Sequence, residues 1–277
     1  MATRSTFKVL AALALGLGSA AAAQAALITE WGYSVTTEWG NGTTAPAPVF
    51  TSGGGVTHAD AAMLSWGASN PPNQTPNDTS DPNTSRSGLI ITPDTAVTNP
   101  PNLFTNGAAV DTHTITHYNN TISSNFSTLS TASVFTTLTL TPLVPGGPSL
   151  PTLTRTFQVD FSETPNTSSP GTCGFPSTSA CDDIFVLTAG SLTQSFVLDG
   201  ITYTLEILAT GLGPLPAATC AAAGAAPGCI GFQTLEHQAT PAQFSFKISA
   251  QVPEPAILGL LGLGLAGIGF VGRLRRS

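Results

Sequence analysis

Short segments in which apolar residues alternate with polar or small ones recur through the middle of the chain. Trp31, Tyr33 and Val35 alternate in this way, and so do Phe157, Val159 and Phe161. A period of two places successive side chains on opposite faces of a strand, so each segment predicts a half-buried β-strand. The same pattern, or a short buried apolar run, occurs at residues 133–141, 183–187, 196–208 and 244–249.

Composition supports strands over helices. Only 8% of the residues are charged, whereas Ser and Thr make up about a quarter of the chain. Helix surfaces rely on Glu, Lys and Arg, which are scarce here. Asp199-Gly200 between two alternating runs predicts a type I′ hairpin turn. With about ten strands at this spacing, we expect an all-β body at residues 26–250, a β-sandwich of the jelly-roll type. Residues 57–66 have slight helical character, and 67–87 and 217–227 are predicted loops.

The charge balance and the motifs exclude several classes of function. Between residues 26 and 252 three basic side chains, Arg86, Arg155 and Lys247, face 14 acidic ones, so we expect no nucleic-acid partner. No nucleophile elbow, zinc-protease motif or phosphate loop is present. Carboxylate pairs such as Asp160 with Glu163 arise by chance among so many acids, and Asp182-Asp183 predicts a loop. We therefore expect no enzyme and no cofactor.

Four cysteines predict two disulfides in an exported chain. Three pairings are possible, and we favour Cys173–Cys181 and Cys220–Cys229 because each pair brackets a loop rich in small residues. Neither pair has the spacing of a zinc site, so no metal is expected.

The first 25 residues have the pattern of a secretory signal peptide. Arg4 and Lys8 precede an apolar stretch, and Ala23-Gln24-Ala25 fits a cleavage site before Ala26. An uncleaved anchor is the alternative, but the apolar stretch is short for a bilayer.

The other terminus has three parts. Val252, Pro253, Glu254 and Pro255 are followed by the uncharged residues 256–272, which as a helix would span about 25 Å and so cross a membrane. An Arg cluster ends the chain and should stay cytoplasmic by the positive-inside rule. The cluster consists of Arg273, Arg275 and Arg276.

This tail, residues 251–277, resembles the PEP-CTERM sorting signal of Gram-negative bacteria. The resemblance implies that a membrane exosortase cuts near Pro253-Glu254-Pro255 after a transient inner-membrane stage. It also implies that the mature protein reaches the cell surface or matrix of an exopolysaccharide producer. A simple single-pass tail anchor is the alternative.

One histidine-containing segment remains, with His113, His117 and Asn119 on one face of a predicted strand. The two histidines would lie about 13 Å apart, too far for one metal ion, so we expect a structural His–Asn pair that bonds backbone groups. Thr116, His117 and Asn119 match the motif of the THxN family of PEP-CTERM proteins. Stretches similar to that family also occur at residues 64–67 and 87–89, whereas the usual Pro after the Asn is missing. The resemblance implies no catalytic residue.

These observations together predict an exported surface or matrix protein that is associated with exopolysaccharide and has no catalytic activity. A carbohydrate-binding jelly-roll module is the alternative, because sugars stack on exposed aromatic rings. The candidate rings are those of Trp31, Trp39, Trp66 and Tyr118.

Overall fold

The computed structural model describes residues 26–69, 74–166, 172–179, 181–188 and 192–251. The protein is all-β, as predicted, and its strands form two curled sheets consistent with a β-sandwich. The chain divides into two compact units. The larger unit comprises Ile28–Phe196 and Thr204–Ser249. The described part of the smaller one is residues 26–27, 197–203 and 250–251.

The described strands and one short helix follow one another along the chain. The strands are β1 (Glu30–Trp39), β2 (Val49–Phe50), β3 (His58–Ala59), β4 (Met63–Gly67), β5 (Arg86–Thr92), β6 (Val97–Thr98), β7 (Leu103–Phe104), β8 (Val110–Asn119), β9 (Leu129–Val144), β10 (Leu153–Ser162), β11 (Asp183–Thr188), β12 (Thr193–Leu198), β13 (Ile201–Thr210), β14 (Gly213–Pro214), β15 (Ile230–Thr234) and β16 (Gln238–Gln251). The helix, α1, is Ala217–Ala222.

The strand order of each sheet brings distant parts of the chain together. One sheet runs β14-β15-β11-β10-β9-β1-β6, with β2 on β9 and β7 on β1. The other runs β12-β13-β16-β8-β5-β4-β3. Strands β9, β10 and β11 are consecutive antiparallel neighbours, whereas β8 lies between β5 and β16. The long β8 therefore occupies the middle of its sheet.

The alternating segments of the sequence lie on these strands with their apolar faces inward. Phe157, Val159 and Phe161 on β10 are buried, as are Trp39 on β1 and Trp66 on β4. All five belong to one hydrophobic core cluster. The predicted alternation is confirmed on β10, where the buried Phe157, Val159 and Phe161 alternate with half-buried residues.

Strand β11 is buried on both faces, which explains its continuous apolar run. Phe185 and Leu187 belong to the main core, whereas Ile184 and Val186 belong to a second cluster. That cluster includes Phe175, Cys181 and Ala223, which lie in the two segments closed by the disulfides Cys173–Cys181 and Cys220–Cys229. These segments thus cover the outer face of β11.

Two local predictions were wrong. Residues 57–66 contain strands β3 and β4 and no helix, because Leu64 pairs with Leu89 of β5 and Trp66 pairs with Ser87. Part of the predicted loop 217–227 is α1, whose Ala-rich sequence favours a helix where it packs near β11.

The hairpin turn at Asp199-Gly200 is confirmed. It separates β12 from β13, and φ is +50° at Asp199 and +80° at Gly200. Both values are in the left-handed region, as a type I′ turn requires.

None of the described helices is long and apolar enough to span a membrane. The predicted signal peptide 1–25 and the predicted membrane helix 256–272 lie outside the described residues.

Candidate functional site

Strand β8 brings the Thr-His-x-Asn motif to the interior of the larger unit. His117 and Asn119 are fully buried, whereas Thr116 is half-buried on the opposite face. His113 shares the inward face, as predicted, and its Nε2 lies 3.2 Å from the carbonyl oxygen of Thr95. Burial lowers the pKa of His113, although that hydrogen bond opposes the shift.

The other two sequence stretches that accompany the motif lie on the neighbouring strands. Leu89 of β5 pairs with His117 on one side and with Leu64 of β4 on the other. Residues 64–67, 87–89 and 116–119 therefore lie side by side on three adjacent strands of one sheet. Gly88 is required here, since a Cβ at this position would lie 2.7 Å from the carbonyl oxygen of Leu64.

His117 sits among aromatic rings. Its ring centroid lies 4.9 Å from that of Phe161, 6.3 Å from that of Trp66 and 6.5 Å from that of Phe232. Neither ring nitrogen has a hydrogen-bond partner among the described residues. Burial lowers the pKa of His117 to about 3, so the imidazole is neutral at physiological pH. The expected bond from His117 to the backbone is therefore absent from the described part of the chain.

Asn119 does make the predicted backbone contact. Its side-chain amide donates to the carbonyl oxygen of Thr234 at 2.8 Å and to Glu236 Oε1 at 3.4 Å. Thr234 ends β15 of the other sheet, so Asn119 connects the two sheets at this point.

Two carboxyl groups meet beside His117. The register of β10 with β11 pairs Ser162 with Ile184, so the next residues, Glu163 after β10 and Asp183 at the start of β11, come near each other. The two carboxyl groups are within hydrogen-bonding reach of each other. Asp183 Oδ2 lies 3.7 Å from His117 Nε2, and the side chains of both residues are fully buried.

Donors hold each carboxyl group in place. The Trp66 indole donates to Glu163 Oε2 at 2.8 Å, and the Thr164 backbone N–H donates to Asp183 Oδ1 at 2.8 Å. Glu163 keeps some exposure as a residue, but its Oε1 is enclosed. Glu163 Oε1 and Asp183 Oδ2 have no N–H or O–H donor among the described residues. One proton shared between them would satisfy both oxygens.

The pKa values of this pair move accordingly. Burial raises the pKa of Glu163 to about 8, against the effect of the Trp66 hydrogen bond. Burial and the neighbouring Glu163 raise the pKa of Asp183. Glu236, half-buried at the edge of the group, also has a raised pKa because of burial. These raised pKa values favour the protonated form of the pair.

This group, His117, Glu163, Asp183 and Glu236, was not assembled from the sequence. The chance pairing of Glu163 with Asp160 in the sequence does not form, since Asp160 accepts a hydrogen bond from Thr188 on the other face of β10. Asp182 does stabilise a loop, since it accepts hydrogen bonds from the backbone of Thr178 and Ser179. Asp183 instead begins β11, which corrects the predicted Asp182-Asp183 loop.

Among the described residues, no group of three or more His, Cys, Asp or Glu side chains is placed to hold a metal ion.

The buried guanidinium of Arg86 stabilises the polypeptide around β4 and β5. Arg86 is fully buried, and its guanidinium donates to the carbonyl oxygens of Val56, Ala68 and Gln74 and to Ser65 Oγ. Burial lowers the pKa of this guanidinium. Arg86 thus fastens the segments before and after β4 to the sheet.

The disulfides have the favoured connectivity. Cys173 is bonded to Cys181 and Cys220 to Cys229, and the structure records no free cysteine among the residues it describes. The predicted sorting residues lie outside the described residues. They are Val252, Pro253, Glu254, Pro255, Arg273, Arg275 and Arg276.

Comparison with known families identifies a sorting motif in the C-terminal tail. Residues 251–276 match the PEP-CTERM protein-sorting motif. The match implies an exported protein that passes through the membrane to the cell surface and is processed by exosortase. No curated protein matches the chain.

Proposed function

We propose that this chain, whose residues 251–276 match the PEP-CTERM protein-sorting motif, is a non-catalytic surface or matrix protein that exosortase sorts and that is associated with exopolysaccharide. The observation that carries the proposal is the sorting motif behind an acidic, disulfide-bonded all-β body.

The burial of the candidate chemical groups supports a non-catalytic role. A general acid or base must come within hydrogen-bond reach of a substrate. His117 and Asp183 are both 0% exposed, and core aromatic rings surround His117. Burial in the core explains both the lowered pKa of His117 and the raised pKa of Asp183, so neither shift requires a catalytic role.

The outer face of the β1-β9-β10 sheet supports an association with a hydrated polymer. Threonine hydroxyls form cross-strand pairs there, with Thr36 and Thr137 at 2.6 Å and Thr139 and Thr152 at 3.1 Å. Thr141 pairs with Ser149 at 2.8 Å. Such rows present neutral donors and acceptors, which suit the hydroxyl groups of a polysaccharide.

Cosedimentation with the polymer of the producing cell tests this association. The exported protein should cosediment, and the triple variant Thr36→Val, Thr137→Val, Thr139→Val should not, since it removes hydroxyls and keeps side-chain shape. Thr92→Val, at an exposed position of β5 in the other sheet, is the matched control and should behave as the wild type. Cosedimentation of the triple variant at the wild-type level would contradict the role of this face, and none by the wild type would contradict the association.

We also infer that the chain is of the THxN type and that its sandwich is a jelly roll. The assignment to the THxN type is supported by residues 64–67, 87–89 and 116–119, which lie side by side on three adjacent strands. The antiparallel, two-sheet arrangement supports the second.

A dedicated carbohydrate-binding jelly-roll module is the weaker candidate. Trp31, Trp39 and Trp66 are at most 1% exposed, so none offers a ring face to a sugar. Tyr118 is 38% exposed and is the remaining candidate ring of the four. Tryptophan emission should therefore be blue and unchanged by added polysaccharide. A red maximum that shifts on addition would favour this module instead.

A further inference from the structure

An apolar cavity of about 80 Å³ lies between the two sheets inside the larger unit. The β9-β10 side contributes Val134, Leu138 and Phe157 to its wall. The opposite sheet contributes Leu205, Ile207 and Phe244. The cavity is separate from the group around His117, since neither His117 nor the carboxylates beside it line it.

One polar row crosses the wall of this cavity. Thr136 of β9 pairs with Thr37 of β1 on one side and with Arg155 of β10 on the other. Thr37 Oγ1 and Thr136 Oγ1 lie 3.3 Å apart. Arg155 has the same parity as the buried Phe157 and Val159, so β10 directs it toward the interior. Arg155 is the one charged residue among those that line the cavity.

Arg155 lacks an acceptor in the part of the chain that the structure describes. None of the recorded ion pairs or hydrogen bonds there involves its guanidinium, and the residue is half-buried. Arg86 offers the contrast, because carbonyl oxygens and a serine surround its guanidinium. A partly desolvated cation beside an apolar cavity favours a ligand with one anionic end.

We propose that the cavity binds a small amphipathic carboxylate, with its aliphatic tail between the sheets and its carboxylate on Arg155. A few polar groups in an otherwise apolar pocket are typical of a small-molecule site. At roughly 10–15 Å³ for each water-sized group, the cavity takes about five to eight such groups. That size fits a short aliphatic acid such as hexanoate. A guanidinium that extends into solvent, with only its stem covering the apolar wall, is the competing arrangement.

Titration calorimetry of the exported, processed protein with hexanoate tests the site. We expect saturable 1:1 binding of hexanoate and weaker binding of the uncharged hexan-1-ol. Arg155→Met keeps the apolar stem and should weaken hexanoate binding roughly tenfold, while hexan-1-ol binding stays the same. Lys247→Met removes a surface cation from β16 and is the matched control, expected to bind hexanoate as the wild type does.

A second variant tests the cavity itself. Leu138→Phe adds volume to the wall and should abolish binding of both probes, and thermal unfolding verifies that each variant is folded. Absence of saturable hexanoate binding by the wild type would overturn the proposal. Equal hexanoate affinity of the wild type and Arg155→Met would also overturn it, in favour of a solvent-directed guanidinium. Neither result depends on the polymer association.

Discussion

At the scale of single residues, His117 and Glu163 respond in opposite directions to the same buried surroundings. Both groups lose hydration, which disfavours the imidazolium and the carboxylate alike. The pKa of His117 falls to about 3 from 6.5, and that of Glu163 rises to about 8 from 4.5. The two shifts limit stability on opposite sides of a mildly acidic optimum.

The alkaline side depends on Glu163. Because its folded-state pKa is raised, folding retains a proton that the unfolded chain releases above about pH 4.5, so stability falls as the pH rises from there to about 8. We expect Glu163→Gln to reduce this fall, which for one proton is at most about 1.4 kcal/mol per pH unit. Urea denaturation between pH 5 and pH 8, in steps of about one unit, measures the slope.

The same variant provides its own control. Near pH 4.5 the carboxyl group is protonated in the folded protein, and a neutral amide of equal shape should then change stability little. An unchanged slope in Glu163→Gln would show that Glu163 does not hold the proton.

The acidic side depends on His117. Its folded-state pKa is lowered, so stability is present above about pH 6.5 and is lost as the pH falls toward 3, when the unfolded chain takes up a proton. His117→Leu should flatten this loss. Near neutral pH it should be tolerated, because both ring nitrogens lack partners among the described residues. Denaturation curves from pH 7 to pH 4 measure the difference in stability between this variant and the wild type, which should shift in favour of the variant as the pH falls; a difference that is constant with pH would contradict the role of His117.

A control on the same strand separates titration from packing. Tyr118 is the next residue and points to the exposed face of β8. Tyr118→Thr should shift the stability curve by a constant amount and leave its dependence on acid unchanged.

At the scale of elements, β11 depends on what covers its outer face. Ile184 and Val186 are fully buried in the cluster that includes Phe175 and Cys181. The disulfide Cys173–Cys181 closes this covering loop, and the second disulfide closes the segment that contains α1. The disulfide-closed segments thus act as a third layer over one strand.

The Cys173→Ala, Cys181→Ala double variant tests this layer. Opening so short a loop should lower the free energy of unfolding by about 2–3 kcal/mol, because the unfolded chain gains conformational freedom. Urea denaturation measures the loss, with the Cys220→Ala, Cys229→Ala pair for comparison. A double variant as stable as the wild type would show that the loop covers β11 without its disulfide.

At the scale of the whole molecule, the sorting motif at residues 251–276 predicts that the exported form is shorter than the encoded chain. We expect the intact mass of the surface protein to lack residues 1–25 and the Arg-rich terminus. Two disulfides reduce the mass by about 4 Da relative to the reduced chain. Mass spectrometry of the native and the reduced protein measures both effects.

A chain truncated after residue 251 is the control for this measurement. Exosortase should leave its mass unchanged, and the protein should appear in the periplasm or medium rather than at the surface. A surface protein that retains Arg273, Arg275 and Arg276 would indicate a permanent anchor instead of a sorting signal.

Sequence patterns alone predicted the all-β class, the Asp199-Gly200 turn, the favoured disulfide pairs and the sorting tail. These features depend on local spacing: alternation sets the faces of a strand, and short loops bring cysteines together. The inward face of β8, with His113, His117 and Asn119, was predictable for the same reason.

Only the tertiary structure decided where the charges went. Glu163 and Asp183 come together because β10 and β11 are antiparallel neighbours, and His117 lies beside Asp183 from the other sheet. Arg86 collects carbonyl oxygens from segments on both sides of β4, and β4 itself is a strand because β5 pairs with it. Sheet register and burial couple residues that are distant in sequence, and no local pattern records which distant residues will share a dry interior.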